Sequence, residues 1–396
     1  MKIARGFGFG LLLLNLLLAG SVTASAGEES ERALAALEKE VKSLKGTVDR
    51  LSRPSEQTDF DPPKLQLRGF GHLQYDFDNR GTKDSSGNIA TDRNANNFTN
   101  GGIDLFVTSQ IARKLNFLSE IVFDFNDAGG TVPDVERVLV KYEYTDWLNV
   151  SMGRGHTALG FWNQRYHHGI WLATTALRPI IYRFEDEGGI LPVHFEGIEF
   201  SGNLNTGIGN LTYMSNVANG RGRITDEVQM IKDDNTSKQV SFMFALEPNA
   251  VKGLGFGANI LHDVIPNNAN VAGRDREIEE VIGGVHAYYL DDHFELIGEL
   301  QTIQHDSDVR KFHSGGYAQL AYAFDKIKPY YRFDFLDIKT GDVFFAGIAG
   351  VEDTKQHTFG VRYELFPYAA LKVEFRRADA TTFRSNAATA QISFAF

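Results

Sequence analysis

From Leu65 to the final residue, Phe396, apolar side chains recur at every second position. In "LQLRGFGHLQYDF" Leu65, Leu67, Gly69, Gly71, Leu73, Tyr75 and Phe77 share one face, and Gln66, Arg68, His72, Gln74 and Asp76 the other. A period of two is that of a β-strand with one apolar and one polar side. About sixteen such runs follow one another, among them "NFLSEIVFDF", "ERVLVKYEY", "QVSFMFAL", "IKPYYRFDF" and "ATAQISFAF". Long charged runs on one face of nearly every strand do not suit the dry core of a β-sandwich.

The connections narrow the choice. "YTDW", "GNLNTG", "EPNA", "LDDH", "FDKI" and "FPYA" are short and fall at every second connection, whereas the alternate connections are long. A long polar stretch, "DNRGTKDSSGNIATDRNANNFTN", reads as the first of the long loops. Short turns on one rim and long loops on the other describe an antiparallel barrel that spans a membrane. Hydrocarbon offers no partner to an unpaired amide, so a spanning sheet has to close on itself. The expected fold is therefore an all-β transmembrane barrel of about sixteen antiparallel strands, wide enough for water to fill the lumen. A formal charge of −11 argues against a nucleic-acid partner. The absence of cysteine removes disulfides, thiolate metal sites and covalently attached haem, so no cofactor is expected.

Two segments precede the strands. Lys2 and Arg5, the apolar run "FGFGLLLLNLLLAG" and the small-residue site Ala24-Ser25-Ala26 make residues 1–26 read as a secretory signal peptide. In "ERALAALEKEVKSLKGTVDRLSR" the residues Leu34, Leu37, Val41, Leu44, Val48 and Leu51 are spaced as the seam of a coiled coil. Residues 27–53 are thus expected to form a short α-helix that associates between chains. Pro54 stops it, residues 54–64 read as a linker, and the barrel occupies 65–396.

The connection after the fifth strand, "GHTALGFWNQRYHHGIWLATTALRPIIYRFEDEGGILPV", is rich in aromatics and glycine and reads as a folded element. In signal, strand number, loop order, third loop and terminal Phe396 the chain resembles the trimeric porins of the Gram-negative outer membrane. With its N-terminal heptads it most resembles those that carry a periplasmic helical stalk, related to the phosphate-selective and dicarboxylate-selective types. The resemblance implies a homo-oligomer, a trimer, embedded among outer-membrane lipid and lipopolysaccharide, with the helix in the periplasm. It implies that Phe396 is presented to the barrel-insertion machinery and that residues 155–193 constrict a channel for small hydrophilic solutes or ions.

Selectivity belongs where charge meets the narrowed lumen. Arg68, Arg137, Lys141 and Arg154 are expected on the early strands or at the loop mouth, facing Glu185, Asp186 and Glu187, while Arg332 and Arg362 point inward from the late strands. Such charges also pair with neighbouring acids on a solvated wall. His156, His167, His168 and His194 gather around the long loop and are read as lining or structural residues rather than metal ligands. Ser151 and His156 are close in sequence, but Ser151 faces the lumen in this register, so no hydrolase is expected. An alternative to a free pore is a barrel that sheathes an electron-transfer or cell-envelope partner.

Overall fold

The computed structural model describes residues 63–84, 86–125, 131–167, 169–184, 187–223 and 233–396, with Lys39 and Lys42. The chain divides into two compact units, Met1–Asp61 and Pro62–Phe396. In the first, Lys39 and Lys42 are helical and exposed; the signal peptide and all six seam residues lie outside the described residues.

The second unit contains sixteen strands among the described residues. They are β1 Lys64–Lys83, β2 Ile89–Ala112, β3 Leu115–Phe125, β4 Thr131–Thr145, β5 Leu148–His156, β6 His194–Asn205, β7 Gly209–Ala218 and β8 Gln239–Pro248. There follow β9 Leu254–Ile265, β10 Ile278–Leu290, β11 Phe294–Asp306, β12 Lys311–Tyr322, β13 Ile327–Asp337, β14 Thr354–Phe366, β15 Ala369–Ala380 and β16 Phe383–Ala395. Each pairs antiparallel with its sequence neighbours, and β1 pairs with β16, so the sheet is a closed barrel. The alternation reads directly as two faces. On β8 Val240, Phe242 and Phe244 are exposed on the outside, whereas Gln239, Ser241 and Met243 are buried within. An outer apolar face is what a bilayer requires, and closure leaves no strand edge to satisfy.

The final aromatic completes that closure. Phe396 N–H donates to the Gly69 carbonyl at 2.8 Å and its own carbonyl accepts from Gly69 N–H at 2.9 Å. The Phe396 ring lies over Gly69, where a Cβ would approach its Cζ to 2.5 Å. Glycine at 69 is therefore a space requirement of the last ring.

Two expectations are corrected. Residues 78–100 are not a long loop: β1 continues to Lys83 and β2 starts at Ile89, joined by a tight turn in which Asp84 Oδ1 accepts the N–H groups of Ser86 and Asn88. The ladder outlasts the apolar alternation there because a hairpin with water on both faces needs no apolar side. The far rim is also uneven, since β11–β12 and β15–β16 are joined by short turns as well.

Nor is the lumen simply filled with water. The described residues of 157–193, between β5 and β6, fold inside the barrel as an inner loop that includes a short helix, α1 Phe161–Arg165, and a 3₁₀ turn at Ile180–Tyr182. Its Leu159, Trp162, Ile180, Ile181 and Leu191 form one apolar cluster with inward Leu261, Ile282, Ile297, Ile303 and Leu336 of the wall. Full burial of each such side chain contributes roughly 1.5–3 kcal/mol. The main-chain groups of the loop, deprived of water, find partners on the wall. Glu299 accepts from Phe161 and Trp162 N–H at 2.7 and 2.8 Å, at the start of α1, and from the hydroxyls of Tyr182 and Tyr317. Burial, and then Glu299 beside it, push the Tyr182 phenol well above its usual range, which keeps it a donor. Gly160, with φ +56, lets the chain turn here, because a Cβ would fall 1.8 Å from the Tyr182 hydroxyl.

Two outcomes follow from this packing. Val373→Arg, on the outer face of β15, costs about 2–4 kcal/mol near mid-membrane, whereas Asn203→Arg on the inner face of β6 is tolerated. Refolding equilibria in liposomes measure both, and equal penalties would put the alternation out of phase. Glu299→Ala strands four buried donors at a cost of roughly 1–3 kcal/mol each if none finds water. The variant should keep its barrel, seen as strand content, yet expose the inner loop to proteolysis.

Candidate functional site

The inner loop does not fill the barrel. Between it and the wall formed by β1, β2, β4 and β14–β15 a cavity of about 590 Å³ remains. Its surface is polar and carries both signs of charge: Arg178 and Arg183 from the loop and Arg376 from β15, against Asp134 and Glu136 from β4 and Glu187 from the loop. β4 and β15 are five strands apart around the barrel, so the acids and Arg376 stand on separate parts of the wall.

Two of these cations are held in place. Arg178 donates to the Tyr182 carbonyl at 3.1 Å and stacks its guanidinium 3.6 Å from the Phe184 ring centre. Arg376 donates to Glu374 Oε1 and to Thr389 Oγ1, both at 2.9 Å. Glu136 reaches the lumen through a β-bulge: Glu120 pairs with Arg137 and Ile121 with Val135, which leaves Glu136 as the extra residue. A bulge re-aims a side chain that strict alternation would send to the other face.

The residues singled out in the sequence divide among several places. Glu187 lines the cavity, and Glu185, Asp186 and His168 lie outside the described residues. Arg137 is paired with Glu120 at 2.5 Å and lies over Phe106. Arg154 is buried and donates to the Val135 carbonyl at 2.7 Å. Arg68 is exposed near the start of β1, opposite Phe106. Lys141 stands 3.5 Å from Glu143 in a second recess by the short turn of Trp147. The structure does not gather these cations opposite Glu187.

Arg332 and Arg362 do something different from lining a channel. Arg332 donates to Thr175 Oγ1 at 2.9 Å and to the carbonyls of Leu177 and Arg178 at 2.8 and 3.0 Å, while Asp334 balances its charge at 2.9 Å. Arg362 donates to the carbonyls of Trp171 and Ala173 at 2.7 and 2.8 Å. Lys372 donates to the carbonyls of Ile170 and Thr175, and Glu374 accepts from Ala176 N–H. These charges clasp the inner loop to β13–β15. Alternation marked them as inward, but it carries no information on which inward charge meets a loop and which meets water. Arg178 and Arg183 were visible only as members of the loop segment, and Glu136 was hidden by its bulge.

Among the described residues, two groups hold metal-binding side chains close together: His156, His167 and His194, and His305, His313 and Asp342. In the second, the nitrogens already have partners of matching chemistry. His305 bridges Asp342 at 2.8 Å and Glu280 at 2.9 Å, and His313 Nε2 meets Asp342 at 3.0 Å while its Nδ1 accepts from Lys339 N–H.

No sequence family and no curated protein matches the chain. Solved structures match it in shape. They include the outer membrane channel DcaP of Acinetobacter baumannii, at 10% identity and a TM-score of 0.58 over 84% of this chain and 97% of that one. An anion-selective porin from Comamonas acidovorans aligns at 13% identity with a TM-score of 0.57, covering 85% of this chain and all of the other. OmpT, an outer membrane protein of Vibrio cholerae solved in a trimer form, aligns at 12% with a TM-score of 0.52 over 85% of this chain and 100% of its own length. At such identities the likeness speaks for the fold, and the fold of this chain is the sixteen-stranded barrel of the outer-membrane porins.

Proposed function

We propose that the protein is an outer-membrane porin, a passive channel through which small hydrophilic solutes or ions diffuse down their gradients. The observation that carries this reading is the polar cavity of about 590 Å³ left between a clasped inner loop and one side of a closed barrel. A barrel of sixteen strands is wider than side chains alone can fill. Here a loop narrows it, and mixed charge lines what remains. The sheath alternative asks for a lumen that can receive a partner, and the inner loop already occupies much of that space. Ser151 is buried on the wall and His156 stacks on His167, an arrangement that does not favour an enzyme.

The reading extends to assembly. The trimer form of the OmpT neighbour supports a homo-oligomer in the bacterial outer membrane, with lipopolysaccharide around it. The heptad seam Leu34 to Leu51 serves as a periplasmic stalk, residues 1–26 direct export, and Phe396 marks the last strand for insertion. Selectivity is set by Arg178, Arg183 and Arg376 acting against Asp134, Glu136 and Glu187. Arg68, Arg137, Lys141 and Arg154 contribute to the potential along the early strands.

Purified protein in planar bilayers tests the proposal. Discrete conductance steps are expected, and their absence in folded protein would remove the pore. In a salt gradient Arg376→Gln should shift the reversal potential toward cation preference and Asp134→Asn toward anion preference. Shifts of the same sign, or none, would take the selectivity site away from this cavity.

A further inference from the structure

We infer that the inner loop contributes one ligand, His167, to a transition-metal site completed by the wall of β4, β5 and β6, and that this site takes a divalent ion of the zinc, nickel or copper class. His167, two residues past α1, sets its Nε2 2.8 Å from His194 Nε2 at the start of β6. Glu136 Oε2 lies 2.5 Å from His194 Nε2 and 3.5 Å from His167 Nε2. The ring of His156 stacks on His167 at 3.6 Å, and one nitrogen from each of the three histidines lies within 4.8 Å of the others. All four side chains are buried, and His167, His194 and Glu136 border the cavity.

The hydrogen bonds around this group select the lone pairs that a metal needs. Asn163 donates both protons of its amide to main chain, to the Thr157 carbonyl at 3.0 Å and the Val193 carbonyl at 2.9 Å. Its Oδ1 is thereby turned toward His167 Nδ1, 2.8 Å away, and can only accept. The His167 proton therefore sits on Nδ1, and in the neutral ring Nε2 offers a lone pair toward His194 and Glu136. One N–H on His194 Nε2 cannot point at both of those neighbours, and the edge from His167 Nε2 to Glu136 Oε2 joins two acceptors. A cation at the centre meets all three. Metal bonds of ~2.0–2.1 Å place tetrahedral ligand atoms about 3.3 Å apart, so one edge of the triangle already fits and the other two open by less than ~1 Å. His156 Nε2, buried and with no hydrogen-bond partner among the described residues, supplies a further imidazole beside the triangle.

Chemistry then chooses the ion. Imidazoles with one carboxylate suit borderline divalent ions rather than calcium or magnesium, which prefer all-oxygen shells. Asn163 acts as the orienting partner that metal-bound histidines ordinarily have. The His305, His313 and Asp342 group differs because its nitrogens are matched donor to acceptor, which leaves no lone pairs in conflict. A bound ion would join the inner loop to β4 and β6 beside the cavity. The proposal uses the cavity's position but not its conductance.

Isothermal titration of the untagged, full-length folded protein with zinc chloride tests the site. One equivalent per chain with micromolar or tighter affinity is expected. His194→Gln and Glu136→Gln should each weaken it at least tenfold, and Asn163→Ala by roughly 10–100-fold. His262→Gln, at an exposed histidine on β9, should change nothing. No saturable binding by the wild type, or unweakened binding by folded His194→Gln protein, overturns the site. If the variants do not fold, the visible spectrum of cobalt bound to the wild type decides: strong bands of low coordination number support the site, and the pale spectrum of the hydrated ion overturns it. Protein that binds zinc without conducting would lose the pore and keep the metal, and protein that conducts without binding would do the reverse.

Discussion

The structure depends on how an apolar loop can lie inside a barrel without leaving its amides unpaired. Buried main-chain groups without partners cost about 1–3 kcal/mol each, and a loop has no ladder of its own. Here the wall supplies the partners. Glu299 receives the first N–H groups of α1, Asp334 and Glu374 take those of Ile180 and Ala176, and Arg332, Arg362 and Lys372 donate to six carbonyls between Ile170 and Arg178. Fully buried charges are expensive, and removing one member of such a set costs about 3–5 kcal/mol because its partner is left alone. The arrangement is tolerable because each charge has a main-chain group to serve, and Arg332, Arg362 and Glu374 also have an opposite charge within hydrogen-bond distance.

That constraint also shapes the passage. The clasp fixes the loop against β11–β15, and the open space runs from the edge of that contact at β14–β15 across to β1, β2 and β4. The charges that face this space, Arg178, Arg376, Asp134 and Glu136, are a different set from those that hold the loop. A barrel wall of this kind therefore divides its inward charges into two duties, tethering the loop and lining the open space, and β15 carries both.

Much of the fold was legible in the residues. A period of two repeated about sixteen times leaves few alternatives to a closed sheet, and Phe396 with Gly69 marks where it closes. The hairpin at Asp84 was missed because, above the membrane, both strand faces meet water and the apolar signal vanishes while the ladder continues. The cavity was less legible than the wall. Arg332 and Arg362 read as inward, correctly, but alternation has no means of telling a tether from a lining residue. Glu136 escaped because a single bulge residue breaks the period on which the reading rests. His156, His167 and His194 were noticed as neighbours in sequence, whereas their convergence depends on where the loop folds.

The central claim is that residues 157–193 lie within the barrel against the late strands. The chain has no native cysteine, so introduced thiols report without interference. Thr174→Cys on the loop and Glu295→Cys on β11, whose parent side chains meet at 2.7 Å, can be joined by a short thiol-to-thiol crosslinker in folded protein. The account predicts near-complete intrachain linkage that is lost on unfolding before treatment. Folded barrels whose two thiols both react with small maleimides yet never become linked would place the loop outside the lumen and contradict it.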